Sequence, residues 1–295
     1  MVVSIRGDIL VRKFKLINEK GQEFSLMDIQ NYCLLTDPDG LGYSNTTSYE
    51  KIGDAFIAYA NSLNQKAING TCNFINYDNY SSFVNFIENS KKISLSYEIP
   101  YKNQNPKIFY KDVKLQEIQK TEIQQNGILS CSVTFDMISL WYEKKEYNYN
   151  MGAGENEVRW NFKFSESRWI NYNQRQLIYD NTGHTEAAFK LEISGDVENP
   201  TIKVQDENDN ELFALTIPIH IVQYEKFIYS SVDGEIEISK ENIDGTRESL
   251  FKQNYIDITK NNIFKLPKGI SKITISAEDE ILFAKLSVFP FYKSI

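Results

Sequence analysis

From Ile128 to Met137 the chain alternates without a break. Leu129, Cys131, Val133, Phe135 and Met137 fall on one face, and Ser130, Ser132, Thr134 and Asp136 on the other. Successive side chains of a strand point to opposite faces, so this run has a dry side and a wet side and belongs to a half-buried sheet. Ile93–Ile99 repeats the pattern through Ile93, Leu95, Tyr97 and Ile99. Between the two lie a turn at Asn103–Pro106 and the long stretch Ile108–Ile123. Gln124-Gln125-Asn126-Gly127 then turns the chain again, and Trp141-Tyr142 closes the block. The expectation is antiparallel, hairpin-built β structure.

The remaining chain is read in the same terms. Eighteen Tyr and eighteen Phe against four Met favour pleated surfaces over helices. Val11–Ile17 and Glu23–Met27 form a first ribbon around Asn18-Glu19-Lys20-Gly21, with Arg12, Lys13 and Lys15 discouraging edge pairing. Asp37-Pro38-Asp39-Gly40-Leu41-Gly42 reads as a turn-rich loop. Tyr80, Phe83, Val84 and Ile87 make one helical stripe, so a helix is expected over Tyr80–Lys92, capped by Asp78 or Asn79. Polar, glycine-containing Glu143–Glu155 reads as a linker. Beyond it, Val158, Trp160, Phe162 and Phe164 alternate, as do Phe189, Leu191 and Ile193. Ile202–Val204 follows, then Phe213 to Ile221, with Pro218 marking an edge. Glu235–Ser239, Lys272–Ser276 and Ile281–Phe289 complete at least seven short strands, the pattern of a β-sandwich or jelly roll.

Charge divides the chain. Through Lys145 there are 16 basic and 16 acidic residues, and the remainder holds 16 and 24, so the second part carries the whole net charge of −8. The step suggests two domains, 1–145 and 146–295. It also argues against duplex nucleic acid as a specific ligand, which needs clustered cations. Lys102, Lys107, Lys111 and Lys114, interleaved with Asp112 and Glu117, read as a solvated edge. No run reaches the roughly 18 apolar residues of a membrane span. Charges also break the apolar N-terminus, so neither a signal peptide nor an anchor is expected, and synthesis in a cytosol is. Cys33, Cys72 and Cys131 are odd in number and far apart in sequence, which argues against a disulfide framework or a CxxC metal site.

Candidate chemistry is sparse. His184 and His220 have no nucleophile motif beside them and read as structural. Asp206-Glu207-Asn208-Asp209-Asn210-Glu211 begins like a calcium loop. It has Glu211 where glycine is required and Ile217 where the twelfth-position acid is required, so it reads as a hairpin tip. Trp169 and Tyr172 are the candidates for stacking on a sugar ring; Trp160, in phase with Phe162 and Phe164, reads as core. No Walker loop, GxGxxG after a strand or HExxH occurs, and no catalytic residue, metal ligand or cofactor is assigned.

The order of elements resembles a known family. The helix, ISLSYEIP, FYKDVKLQEIQKTEI and a glycine-led strand ending at an aromatic are similar to the N-terminal domain of siphophage distal tail (Dit) proteins. GDVENPTIKV with its Asn199-Pro200 turn, and FKLPKGISKITIS with Leu266-Pro267-Lys268-Gly269, resemble the C-terminal galectin-like sandwich of the same family. The resemblance implies a mainly β protein: an N-terminal β-sandwich-like ring domain with one α-helix, plus a C-terminal galectin-like jelly roll. It implies a virion structural protein and no enzyme. A hexameric ring of copies would join the tail tube protein to a tail-tip or tail-associated protein and let DNA pass without specific binding. The C-terminal domain would anchor receptor-binding proteins, and assembly would take place in the bacterial host cytoplasm. The second expectation, of a different class, is a carbohydrate-binding adhesion module using Trp169.

Overall fold

The computed structural model describes residues 13–101, 105–151, 158–161, 176–252, 254–257, 259–278 and 283–295. The chain divides into two units, Met1–Tyr142 with Tyr292–Ile295, and Glu143–Phe291.

In the first unit the alternating runs are strands. These are β1 (Lys13–Asn18), β2 (Glu23–Ser25), β3 (Leu34–Asp39), β4 (Asn45–Ile52), β5 (Ala55–Leu63), β6 (Ala67–Phe74), β7 (Ile93–Ile99), β8 (Lys107–Gln119), β9 (Leu129–Met137) and β10 (Trp141–Tyr142). β2-β1-β7-β8-β9-β6-β3 is the order across the main sheet, with β10 beside β8. β7, β8 and β9 are the expected antiparallel meander, with Ile93 opposite Val113 and Val113 opposite Met137. Leu129, Cys131, Val133, Phe135 and Met137 are all buried, and they share one core with Phe14, Leu16, Phe74, Leu95 and Trp141.

The ribbon at the start differs from expectation in one respect. β1 lies inside the sheet between β2 and β7, and its lysines pair across strands, Lys13 with Glu98 at 2.9 Å and Lys15 with Glu23 at 2.8 Å. Its charges therefore belong to cross-strand pairs and guard no edge. Arg12 lies outside the described residues.

The helix α1 spans Tyr77–Glu88, three residues earlier than the stripe suggested. Asn76 is the cap, its side-chain oxygen accepting the Asn79 N–H at 2.7 Å; Asp78 sits in the first turn, where a negative charge suits the helix dipole. Phe83 is fully buried, edge-on to Phe24 and Phe74, so one aromatic anchors the helix to the sheet.

The second unit is a two-sheet sandwich. Its strands are β11 (Lys145–Met151), β12 (Val158–Asn161), β13 (Gln176–Asn181), β14 (Ala188–Ser194), β15 (Val197–Glu198), β16 (Thr201–Gln205), β17 (Glu211–Thr216), β18 (His220–Ile221), β19 (Lys226–Ser230), β20 (Glu237–Glu241), β21 (Arg247–Ser249), β22 (Gly269–Ser276) and β23 (Phe283–Phe289). One sheet runs β12-β11-β23-β14-β19-β20-β21, the other β13-β22-β16-β17, and β15 pairs β18. Phe189, Leu191, Tyr229 and Leu286 from the first sheet meet Leu177, Ile202, Val204 and Ile273 from the second in a single core.

The segment read as a linker is largely strand. β11 pairs with both β12 and β23, and Tyr147 packs on the sandwich core while Glu146 and Asn148 alternate away from it. Its many polar residues concealed a period of two, with Tyr147 on the core side.

Candidate assembly interface

Two strands of the first unit stand apart from its sheet. β4 and β5 pair only with each other, from Asn45 opposite Leu63 to Ile52 opposite Ala55, and no residue of either strand is buried. The sequence reading passed over this hairpin. Its signal is the Ile52-Gly53-Asp54-Ala55 turn between two runs of Thr, Tyr, Phe and Ile, where Gly53 takes φ +63 as first of the two loop residues.

The register fixes what the hairpin shows. Tyr49 opposes Ala58 and Lys51 opposes Phe56 on one face; Glu50 opposes Ile57 and Ile52 opposes Ala55 on the other, with a bulge at Tyr59. Phe56 and Tyr59 are each 69% exposed, and Tyr49, Ile52 and Ile57 are also exposed. Both faces of the outer half are thus apolar and bare. An isolated two-stranded hairpin is marginal in water, so an arm of this kind gains its rigidity from what covers it.

The root, in contrast, is fastened. The turn-rich loop expected at Asp37–Gly42 is in part the end of β3, and Gly40 follows at φ +88. A Cβ there would stand 2.0 Å from the Ala67 carbonyl oxygen, so only glycine permits this close approach of β3 to β6. The Trp141 indole donates to the Leu41 carbonyl at 3.0 Å, and Gln65 donates its side-chain amide to the Met137 carbonyl at 3.2 Å.

The lysines read from sequence as a solvated edge are so only in part. Lys107 and Lys114 are exposed, but Lys111 points into the core face of β8 and is 3% exposed; Lys102 lies outside the described residues. The period of two explains this, because Phe109, Lys111 and Val113 share one side of the strand.

The three cysteines converge although their spacing hides it. Cys72 and Cys131 are direct cross-strand partners, and the Cys33 thiol, which donates to the Ser25 carbonyl at 4.0 Å, also interacts with Cys72. All three are free and buried. The neighbouring Cys72 first, and burial second, push the Cys33 thiol up; burial does the same to Cys131, so Cys33 and Cys131 are protonated, unreactive core groups.

The other candidates lie apart. Trp169 and Tyr172 fall outside the described residues, as do Phe162 and Phe164, and nothing is described of the Trp160 side chain. His220 is exposed and 2.6 Å from Asp196. The hairpin tip between β16 and β17 is closed by Asp206, whose carboxylate accepts the Asn208 and Asn210 N–H groups at 2.8 and 2.9 Å. Among the described residues no His, Cys, Asp or Glu cluster is arranged to hold a metal, and no helix is long and apolar enough to cross a membrane.

Comparison with known proteins shows what the chain resembles. Residues 13–138 match the family model "Distal tail protein, N-terminal domain". A distal tail protein of Lactococcus phage SK1 is 28% identical over 152 residues, 48% of this chain and 49% of that protein, so the match spans about half of the relative's length. A chain of the phage P2 baseplate in its activated conformation superposes with TM-score 0.69 at 17% identity, covering 97% of this chain and 100% of the other. Dit of phage SPP1 gives 0.52 at 11% identity over 94% and 98%. The likeness to the solved structures establishes a shared fold.

Proposed function

We infer, for a chain whose residues 13–138 match the N-terminal domain of phage distal tail proteins, that copies assemble into a hexameric ring joining the tail tube to the tail-tip proteins. The observation that carries this reading is the β4–β5 arm, with its fastened root and bare apolar outer half. A ring is a cyclic, heterologous assembly in which each copy offers two different patches. A projecting arm supplies one patch by construction, and the body of the next copy supplies the other.

The division of labour follows the charge step. Residues 1–145, with no net charge, form the ring and leave an axial passage through which DNA moves without being held, since a lumen of clustered cations would bind phosphates. Residues 146–295, acidic and folded as a galectin-like sandwich, are the platform for receptor-binding proteins. The role is structural and non-catalytic, in a particle assembled in the host cytoplasm. Immunogold labelling of intact virions tests the placement. Label confined to the distal end of the tail supports it, and label along the tube or on the capsid overturns it.

A further inference from the structure

Lys111 is an incomplete ion pair. Its ammonium lies 5.0 Å from the centre of the Trp141 ring, whose face replaces part of the lost hydration. The other charge acting on it is Lys66, of the same sign, where β5 leads into β6. Neither lysine has a carboxylate partner among the described residues. Asp112, the next residue of β8, faces the opposite side and is taken by Lys92 at 3.1 Å, Ser94 at 2.6 Å and Tyr142 at 2.9 Å. Leaving a cation buried with no anion is costly, so the site is complete only when an anion arrives from outside.

The site is at the root of the arm. Trp141 binds Leu41 there, the Met137 N–H donates to the Lys66 carbonyl at 3.2 Å, and Ile138, the next residue, is 64% exposed. The root therefore combines the half-buried Lys66 and an exposed aliphatic side chain with the buried Lys111 charge beneath them. Its complement is on the same molecule. The face of the arm that carries Ile52 and Ile57 also carries Glu50, an exposed carboxylate with no ion pair among the described residues. The chain cannot satisfy itself this way, because six residues of extended strand hold Glu50 about 20 Å from Ser44 at its own root.

We propose that Lys66 and Lys111 at the root of the arm receive the Glu50 carboxylate from the arm of a second copy, so that subunits join tip to root. The contact is heterologous, and repeating it by one rotation closes a ring. This inference rests on the ring reading and deepens it.

The test measures assembly mass against protein concentration for wild type, Lys111→Met, Glu50→Gln, and the exchange Glu50→Lys with Lys66→Glu. Expected are wild-type rings that weaken with salt, at least a tenfold rise in the concentration needed to assemble for both single variants, and recovery in the exchange. Glu50 is exposed and distant from the core, so Glu50→Gln decides the matter even where Lys111→Met fails to fold. Wild-type rings matched by equally stable Glu50→Gln rings overturn the tip-to-root contact alone. Wild type that stays monomeric overturns the ring reading together with it.

Discussion

The Trp141 indole N–H and the Leu41 carbonyl are joined at 3.0 Å across 100 residues of sequence, and Trp141 itself is fully buried. One bond therefore couples the core of the first unit to the point where its arm departs. Trp141→Phe keeps an aromatic ring but leaves the Leu41 carbonyl without its donor. The expected cost is about 1–3 kcal/mol, read from urea unfolding of the first unit. Trp141→Phe is also expected to assemble less well than its stability alone implies.

Gly40 sets the angle of the same root. Gly40→Ala forces a side chain to φ +88 and places its Cβ against the Ala67 carbonyl oxygen, whereas Gly21, at φ +75, has open space around it. Gly21→Ala is expected to cost about 1–2 kcal/mol, the conformational term alone. Gly40→Ala is expected to cost clearly more, because β3 or β6 must shift as well. Thermal unfolding of the two variants side by side checks the order.

Lys111 predicts a pH dependence with a definite sign. Burial first, and the Lys66 charge second, lower its ammonium from 10.5 to about 8. Below pH 8 it is protonated in both states and the fold bears the full cost of burying the charge. Between pH 8 and 10.5 the unfolded chain binds more protons than the folded one, so stability rises with pH across that window. The gain is roughly 3 kcal/mol for a shift of this size. Dilute, monomeric Lys111→Met is expected to lose this rise while matching or exceeding wild-type stability at pH 7.

The outer arm separates assembly from folding. Phe56→Ser and Tyr59→Ser change side chains that are each 69% exposed. Substitutions of this kind shift stability by about 0.5 kcal/mol or less. Each is expected to leave the melting temperature of the monomer unchanged and to raise the concentration needed for assembly, as read by light scattering.

Much of the fold was legible because burial on one face writes a period of two into a strand. Ile93–Ile99 and Leu129–Met137 announced themselves in this way, and so did the second unit's sandwich strands. β11 was lost because Tyr147 holds its core side among polar neighbours, which reads as polar. The arm was lost for the opposite reason. Apolar residues on both faces, with no body of its own to pack on, give no alternation to detect. Lys111 shares its side of β8 with Phe109 and Val113, so its period places it inside; its charge beside Asp112 and Lys114 suggested a wet edge instead.

Mass photometry of the purified full chain, wild type against a variant in which Asn45–Leu63 is replaced by a short glycine-serine turn, tests the central claim most directly. The expected result is a six-copy particle for wild type and folded monomers for the shortened arm. Six-copy particles from both, or monomers from both at every concentration, would contradict it.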